Sequence, residues 1–211
     1  MSHPRILTHT RRYLNPLDIG IHDVDIHDIA HHLAQINRFA GAIDFPISVA
    51  IHSVYVSHLV EERLREDIQT LTRLSYQAAL QGLLHDGSEA YLGDVTKWLK
   101  ATAAMEGYRD AEERAQATIF RAFNLSEHQA PVVDWADRVM VRWEGTLGFG
   151  PAWRVVGPDN GDHPLYPSLT PEEIALVDSV AKHVALNTPW EMARSAFLRR
   201  FDSLLWSIDN A

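Results

Sequence analysis

Cysteine is absent from all 211 residues, which rules out disulfides, thiolate zinc sites and a cysteine nucleophile together. No apolar run approaches the ~18–20 residues a membrane span needs. Met1 to Thr10 carries no continuous apolar segment and does not read as a secretory signal, so the cytoplasm is the expected compartment. Positive charge is scarce: 19 Lys and Arg stand against 28 Asp and Glu, a formal charge of −9. That balance argues against a sequence-independent grip on nucleic-acid polymers, which relies on basic stripes. It leaves room for a small anionic substrate, because a metal ion and a few local cations outweigh a distant field. Internal repeats, low-complexity tracts and convincingly alternating strands are also missing.

What is present is an ordinary globular balance, with 46% hydrophobic and 22% charged residues, and a length that suits one domain with a sizeable core. Helical periodicity dominates after residue 25. Asp25 precedes the stripe Ile26, Ile29, Ala30, Leu33, Ile36, the spacing of a half-buried helix. A loop from Phe39 to Phe45 follows, and Pro46 suits the first turn of a second helix running to about Glu66. A third helix reads from about Leu71 to His85 and Asp86. Gly93 to Lys100 reads as a turn entering a short helix, and Tyr108 to Phe123 as an amphipathic one. Ser126 is a candidate cap for a helix carrying Val132, Val133, Ala136, Val139 and Met140. Gly148 to Thr170 is rich in Gly, Pro and Asp and reads as a long loop, a candidate lid or oligomer contact. Thr170-Pro171-Glu172-Glu173 and Thr188-Pro189-Trp190-Glu191 are helix starts. The expected fold is all-α and a single domain: a core over about 20–147, the loop 148–170, and C-terminal helices over 171–211.

Twelve histidines is a high count, and most need no chemistry. His3, His9, His22, His128 and His163 lie in polar stretches, and His31, His32 and His58 are assigned to core-edge or surface positions. The informative block is His85-Asp86-Gly87-Ser88-Glu89-Ala90-Tyr91-Leu92-Gly93-Asp94. Adjacent His and Asp offer two ligand types from neighbouring positions, Glu89 falls one helical turn beyond His85, and Gly93 can turn Asp94 back toward the same spot. His22-Asp23 and His27-Asp28 lack the following Glu and Gly-Asp and are assigned structural or solvated roles.

Two other polar residues stand among apolar neighbours, His52 in the second helix and Asp137 in Trp135-Ala136-Asp137-Arg138-Val139-Met140. Burying an unpaired ionisable group costs several kcal/mol. Convergence of His52, His85, Asp86 and Asp137 on one divalent cation removes that penalty and leaves positions for water and a phosphoryl oxygen. A lone helical His is more often a satisfied core residue, and Asp134 competes with Asp137 as a simple surface acid. Glu144, seven residues beyond Asp137, reads as a partner of the site rather than a ligand.

The order His, His-Asp, Asp on a helical chain resembles the HD-domain metal-dependent phosphohydrolases. With Asp28-Ile29-Ala30, Asn37-Arg38-Phe39-Ala40-Gly41, Ser48-Val49-Ala50-Ile51-His52-Ser53 and Ala136-Asp137, it resembles their small bacterial and phage branch, over roughly residues 20 to 145. That branch contains 5′-deoxynucleotidases and deoxynucleoside triphosphate hydrolases. The resemblance implies metal ligation by His52, His85, Asp86 and Asp137, proton transfer by Glu89, and water positioning by Asp94. It also implies phosphate contact by Arg38 and Lys100, with Phe39 where the family often has Trp.

The only histidine between Asp86 and Asp137 is His128, which favours a mononuclear site and hydrolysis over oxygen chemistry. His and carboxylate ligation admits Mn, Co, Fe, Zn, Ni or Mg. The expected activity is metal-dependent hydrolysis at the 5′ position of 2′-deoxynucleotide monophosphates. A triphosphohydrolase releasing tripolyphosphate is the near alternative, and a degenerate domain that binds without catalysis is the alternative of another class. The expected partners are a small nucleotide and a second copy of the chain, with no nucleic-acid polymer and no membrane.

Overall fold

The structure, a computed structural model, describes residues 5–150, 153 and 168–211. It is all-α apart from one small antiparallel hairpin, β1 (Ile6–Leu7) and β2 (Tyr13–Leu14), with Ile6 opposite Leu14. Two-residue strands are too short for an alternating pattern to register, which is why the sequence carried no strand signal. Asp28 fixes the hairpin: its buried carboxylate accepts from the Thr10 backbone N–H at 2.7 Å and from the Thr10 hydroxyl at 2.8 Å.

Asp28 lies in α1 (Ile26–Leu33), capped by Asp25, whose carboxylate accepts from the His27 N–H. α2 (Val49–Ile68) starts three residues later than Pro46 suggested, because the Ser48 hydroxyl takes the Ile51 N–H and supplies the cap. α3 (Arg73–Leu84) opens on a reciprocal Thr72–Ser75 capping box rather than at Leu71. Two short turns, α4 (Glu89–Leu92) and α5 (Lys97–Lys100), lead to α6 (Glu106–Ala122). α7 (Pro131–Phe149) has proline in its first turn. Ser126 is not its cap: Gln81 reaches across from α3 to bond the Ser126 and His128 carbonyls and holds this approach as a loop. α8 (Pro171–Val180) begins at the Thr170–Glu173 capping box, and α9 (Trp190–Asn210) begins after Pro189.

α7 runs through Gly148 and Phe149, so the expected loop starts at Gly150, and residues 151–152 and 154–167 lie outside the described residues. α2 is the central helix, packing on α3, α7, α8 and α9. Its residues Val49 to Tyr55 are buried all round, as expected of a helix enclosed by neighbours. One cluster of buried apolar side chains extends from Leu14 to Ile208. Gly82 lets α3 press on α2, since a Cβ there would meet the Ser57 Cα at 3.3 Å. Among the described residues no helix is long and apolar enough to cross a membrane.

Candidate metal centre

Three helices deliver the site. His52 projects from the N-terminal end of α2, His85 and Asp86 directly follow the end of α3, and Asp137 comes from the second turn of α7. The Nε2 atoms of His52 and His85 are 3.3 Å apart. Asp86 Oδ2 lies 3.3 Å from His85 Nε2 and 3.8 Å from His52 Nε2. Asp137 Oδ1 lies 3.1 Å from His52 Nε2 and 3.8 Å from His85 Nε2. Ligand atoms of His52, His85 and Asp86 fall within 4.8 Å of one another and could hold a metal ion.

The outer faces of both imidazoles are committed. His52 Nδ1 is 2.8 Å from Glu144 Oε1, and His85 Nδ1 is 2.9 Å from the Gly82 carbonyl. Each acceptor draws the ring proton to Nδ1 and turns the Nε2 lone pair toward the other imidazole. Two such lone pairs at 3.3 Å repel unless something positive lies between them. Buried Asp86 Oδ2 has no hydrogen-bond partner among the described residues. An orphaned carboxylate oxygen beside two imidazole nitrogens is a mixed N/O set that suits a divalent transition metal.

The electrostatics have the same sense. Burial alone would lower both histidine pKa values, yet Glu144 and Asp137 raise His52, and Asp86 and Asp137 raise His85 well above the usual range. Burial alone would raise Asp86, yet His85, His52 and Arg38 hold it below the ordinary carboxylate range. The centre therefore favours ionised carboxylates and a positive charge among them.

Glu144 does a second task. Its Oε2 accepts from Arg38 Nε at 3.2 Å, while Arg38 Nη1 stands 3.6 Å from Asp86 Oδ2. Fully buried Glu144 thus couples the outer face of His52 to the arginine of the cleft. Arg38 sits at the start of a loop closed by an antiparallel bridge between Asn37 and Ser48, with Arg38 N–H donating to the Ile47 carbonyl. Phe39, Ala40 and Gly41 all adopt positive φ there, at 56°, 51° and 75°. Left-handed backbone at Phe and Ala is uncommon and persists where the surroundings over-determine it, which happens most at functional sites.

A cleft of about 640 Å³ opens beside the centre. Arg38, Phe39, Glu89, Asp94 and Lys100 line it together with Asp86 and Asp137. Glu89 is buried with no hydrogen-bond partner for Oε2 among the described residues, and burial together with Asp86 and Asp94 pushes its carboxyl well above the usual range. Asp94 is also raised, chiefly by burial. It follows Gly93, whose φ of 81° and ψ of 155° favour glycine, and Tyr108 donates to the Gly93 carbonyl at 2.7 Å. Lys100 reaches the cleft, but its ammonium is held 2.7 Å from Glu112 and 3.8 Å from Glu89. Asp134 stays on the surface, accepting from Gln129 at 2.6 Å.

The structure also supplies wall residues that the sequence did not indicate: Val141, Phe149 and Trp153, with Arg138. Val141 lies one turn beyond Asp137 on α7, so helical spacing could have found it. Trp153 had no local signal at all.

No family model matches the chain. Over 137 residues it is 33% identical to the uncharacterized protein YfdR of Escherichia coli (strain K12), covering 64% of this chain and 68% of that protein. Over 149 residues it is 36% identical to the uncharacterized protein RCAP_rcc00048 of Rhodobacter capsulatus, covering 67% and 72% respectively.

Proposed function

We propose that the chain, which belongs to the family that includes YfdR and RCAP_rcc00048, is a metal-dependent phosphohydrolase. Its reaction is hydrolysis at the 5′ position of 2′-deoxynucleoside monophosphates, as an HD-domain enzyme of the 5′-deoxynucleotidase type. The observation that carries this reading is the pair of Nε2 nitrogens 3.3 Å apart, flanked by Asp86 and Asp137, at the wall of a cleft that also holds Arg38. Ligation by His52, His85, Asp86 and Asp137 is part of the proposal.

A divalent cation bound there supplies Lewis acidity to a phosphoryl oxygen and lowers the pKa of water. Arg38, oriented by Glu144 through Nε, binds the phosphate with its guanidinium. Water attacks phosphorus, the P–O5′ bond breaks, and inorganic phosphate and nucleoside leave. Asp94 takes the proton from the attacking water. Glu89, whose carboxyl is pushed well above the usual range by burial and by Asp86 and Asp94, delivers a proton to the departing O5′.

Charge distribution supports the monophosphate over the triphosphate. A second cleft, of about 510 Å³, adjoins His85, Asp86 and Asp137 and is another space into which a polyphosphate tail could extend. It offers Lys100 and Arg109 but also Glu112, Glu113 and Glu127, an unfavourable setting for a chain of phosphates.

The test is chromatographic product analysis with a panel of nucleoside mono- and triphosphates and Mn²⁺ or Co²⁺. Release of phosphate from deoxynucleoside monophosphates, abolished by chelation, is the expected result. Tripolyphosphate as the product would transfer the assignment to a triphosphohydrolase, and no metal-dependent product would overturn it. Glu89→Gln should retain metal and lose turnover by roughly 10²–10⁴-fold.

A further inference from the structure

The cleft has a charged end at Arg38 and an aromatic end, and only the charged end is used by the chemistry above. Phe149 and Trp153 stack with ring planes 6° apart and centroids 5.5 Å apart. Phe39 meets both edge-on, at 5.5 and 5.7 Å. All three rings are only partly buried and all line the cleft, with Val95 and Val141 beside them.

Two glycines of α7 explain how these rings come together. A Cβ at Gly145 would stand 2.3 Å from Trp153 Cε2, so the indole lies directly on the helix backbone. A Cβ at Gly148 would stand 2.4 Å from Ile43 Cγ2, so the loop carrying Phe39 is drawn onto the same helix. Glycine within a helix is destabilising relative to alanine, and here it lets two aromatic walls approach one another.

An occupant of this cleft needs an anionic group for Arg38 and, a few ångströms away, a flat apolar body. The Arg38 guanidinium carbon is 5.7 Å from the Phe39 ring centroid, so the two requirements meet in one small molecule. The volume, about 640 Å³, is that of a small-ligand pocket.

We infer that Phe149 and Trp153 form the seat for the nucleobase, that Phe39 is its edge, and that Gly145 is the residue that positions the indole. This inference rests on the nucleotide reading proposed above. Recognition is by ring face, which every base possesses, so the seat accepts several bases and holds purines more tightly through their larger area.

Calorimetric titration of 2′-deoxyadenosine and thymidine, which carry no phosphate, tests the seat without turnover, and 2-deoxyribose 5-phosphate, which carries no base, is the control. Trp153→Ala should weaken deoxyadenosine binding about tenfold or more and leave the sugar phosphate unchanged. Gly145→Ala should do the same although the indole is retained, and Trp153→Phe should restore part of the affinity. Unchanged nucleoside affinity in Trp153→Ala, equal weakening of the sugar phosphate, or no nucleoside binding by the wild type would each overturn the inference. Wild-type nucleoside binding that Trp153→Ala abolishes, without phosphate release from any nucleotide, would support the seat and sink the catalytic reading.

Discussion

His52 and His58 sit six residues apart on α2, and each lies against a second histidine, but the two are tuned in opposite directions. His52 faces His85 with Nε2 atoms 3.3 Å apart, and both histidines have raised pKa values. His58 stacks on His183 with planes 7° apart and centroids 4.9 Å apart, and its pKa is lowered to about 3. Burial opposes the charged form of both His52 and His58. The difference lies in the company: around the first pair Glu144, Asp86 and Asp137 together outweigh Arg38, whereas the cation beside His58 is Arg200. Histidine on an enclosed helix is thus neither ligand nor filler by itself. The sign of the neighbouring charge decides.

The largest expected effect breaks the first pair's function and leaves the second untouched. Asp86→Ala should lower Mn²⁺ or Co²⁺ affinity in calorimetry by more than the roughly 10–100-fold typical of losing an outer partner. His58→Phe should leave that affinity as it is. Equal losses in the two variants would mean that the metal is not held where His52, His85 and Asp86 converge.

Next in size is Glu144→Gln, which keeps the shape but removes the charge that His52 Nδ1 and Arg38 Nε share. Metal affinity should fall by roughly 10–100-fold. Any measured phosphate affinity should fall as well, because the arginine loses its anchor. A variant indistinguishable from wild type would reduce Glu144 to packing.

The smallest effect concerns the second pair and appears in stability against pH. His58 is neutral in the folded protein down to about pH 3, whereas in the unfolded chain it takes a proton near its ordinary value of 6.5. A depressed folded pKa contributes stability that is present above 6.5 and is lost as pH falls from there toward 3. Between pH 6.5 and 5 the loss approaches about 2 kcal/mol, an upper figure because the ring keeps some solvent contact. Urea unfolding at several pH values should therefore show a shallower acid slope for His58→Phe. An identical slope would assign the acid sensitivity to other groups.

Legibility in the sequence followed the range of the interaction. The helix starts at Asp25 and Thr170 were readable because a cap bonds N–H groups two or three residues on. His85, Asp86, Glu89 and Asp94 stood out because one turn and one glycine hold them together. Ser126 misled as a cap because Gln81, 45 residues away, claims its carbonyl. The aromatic end of the cleft was invisible for the same reason: Trp153 matters through contact with Gly145 and Phe39, not through its neighbours in the chain.

Composition and helical period alone determined that this protein is all-α and free of thiol chemistry, since both follow from residue types and spacings that no folding can alter. Which histidine attracts a cation, which is kept neutral, and which aromatic rings share a wall with Arg38 were decided only when α7 and α9 packed on α2. Electrostatic and packing forces act over a few ångströms of space, and the residues that exert them here lie up to 143 positions apart in the chain, as Ser57 and Arg200 do.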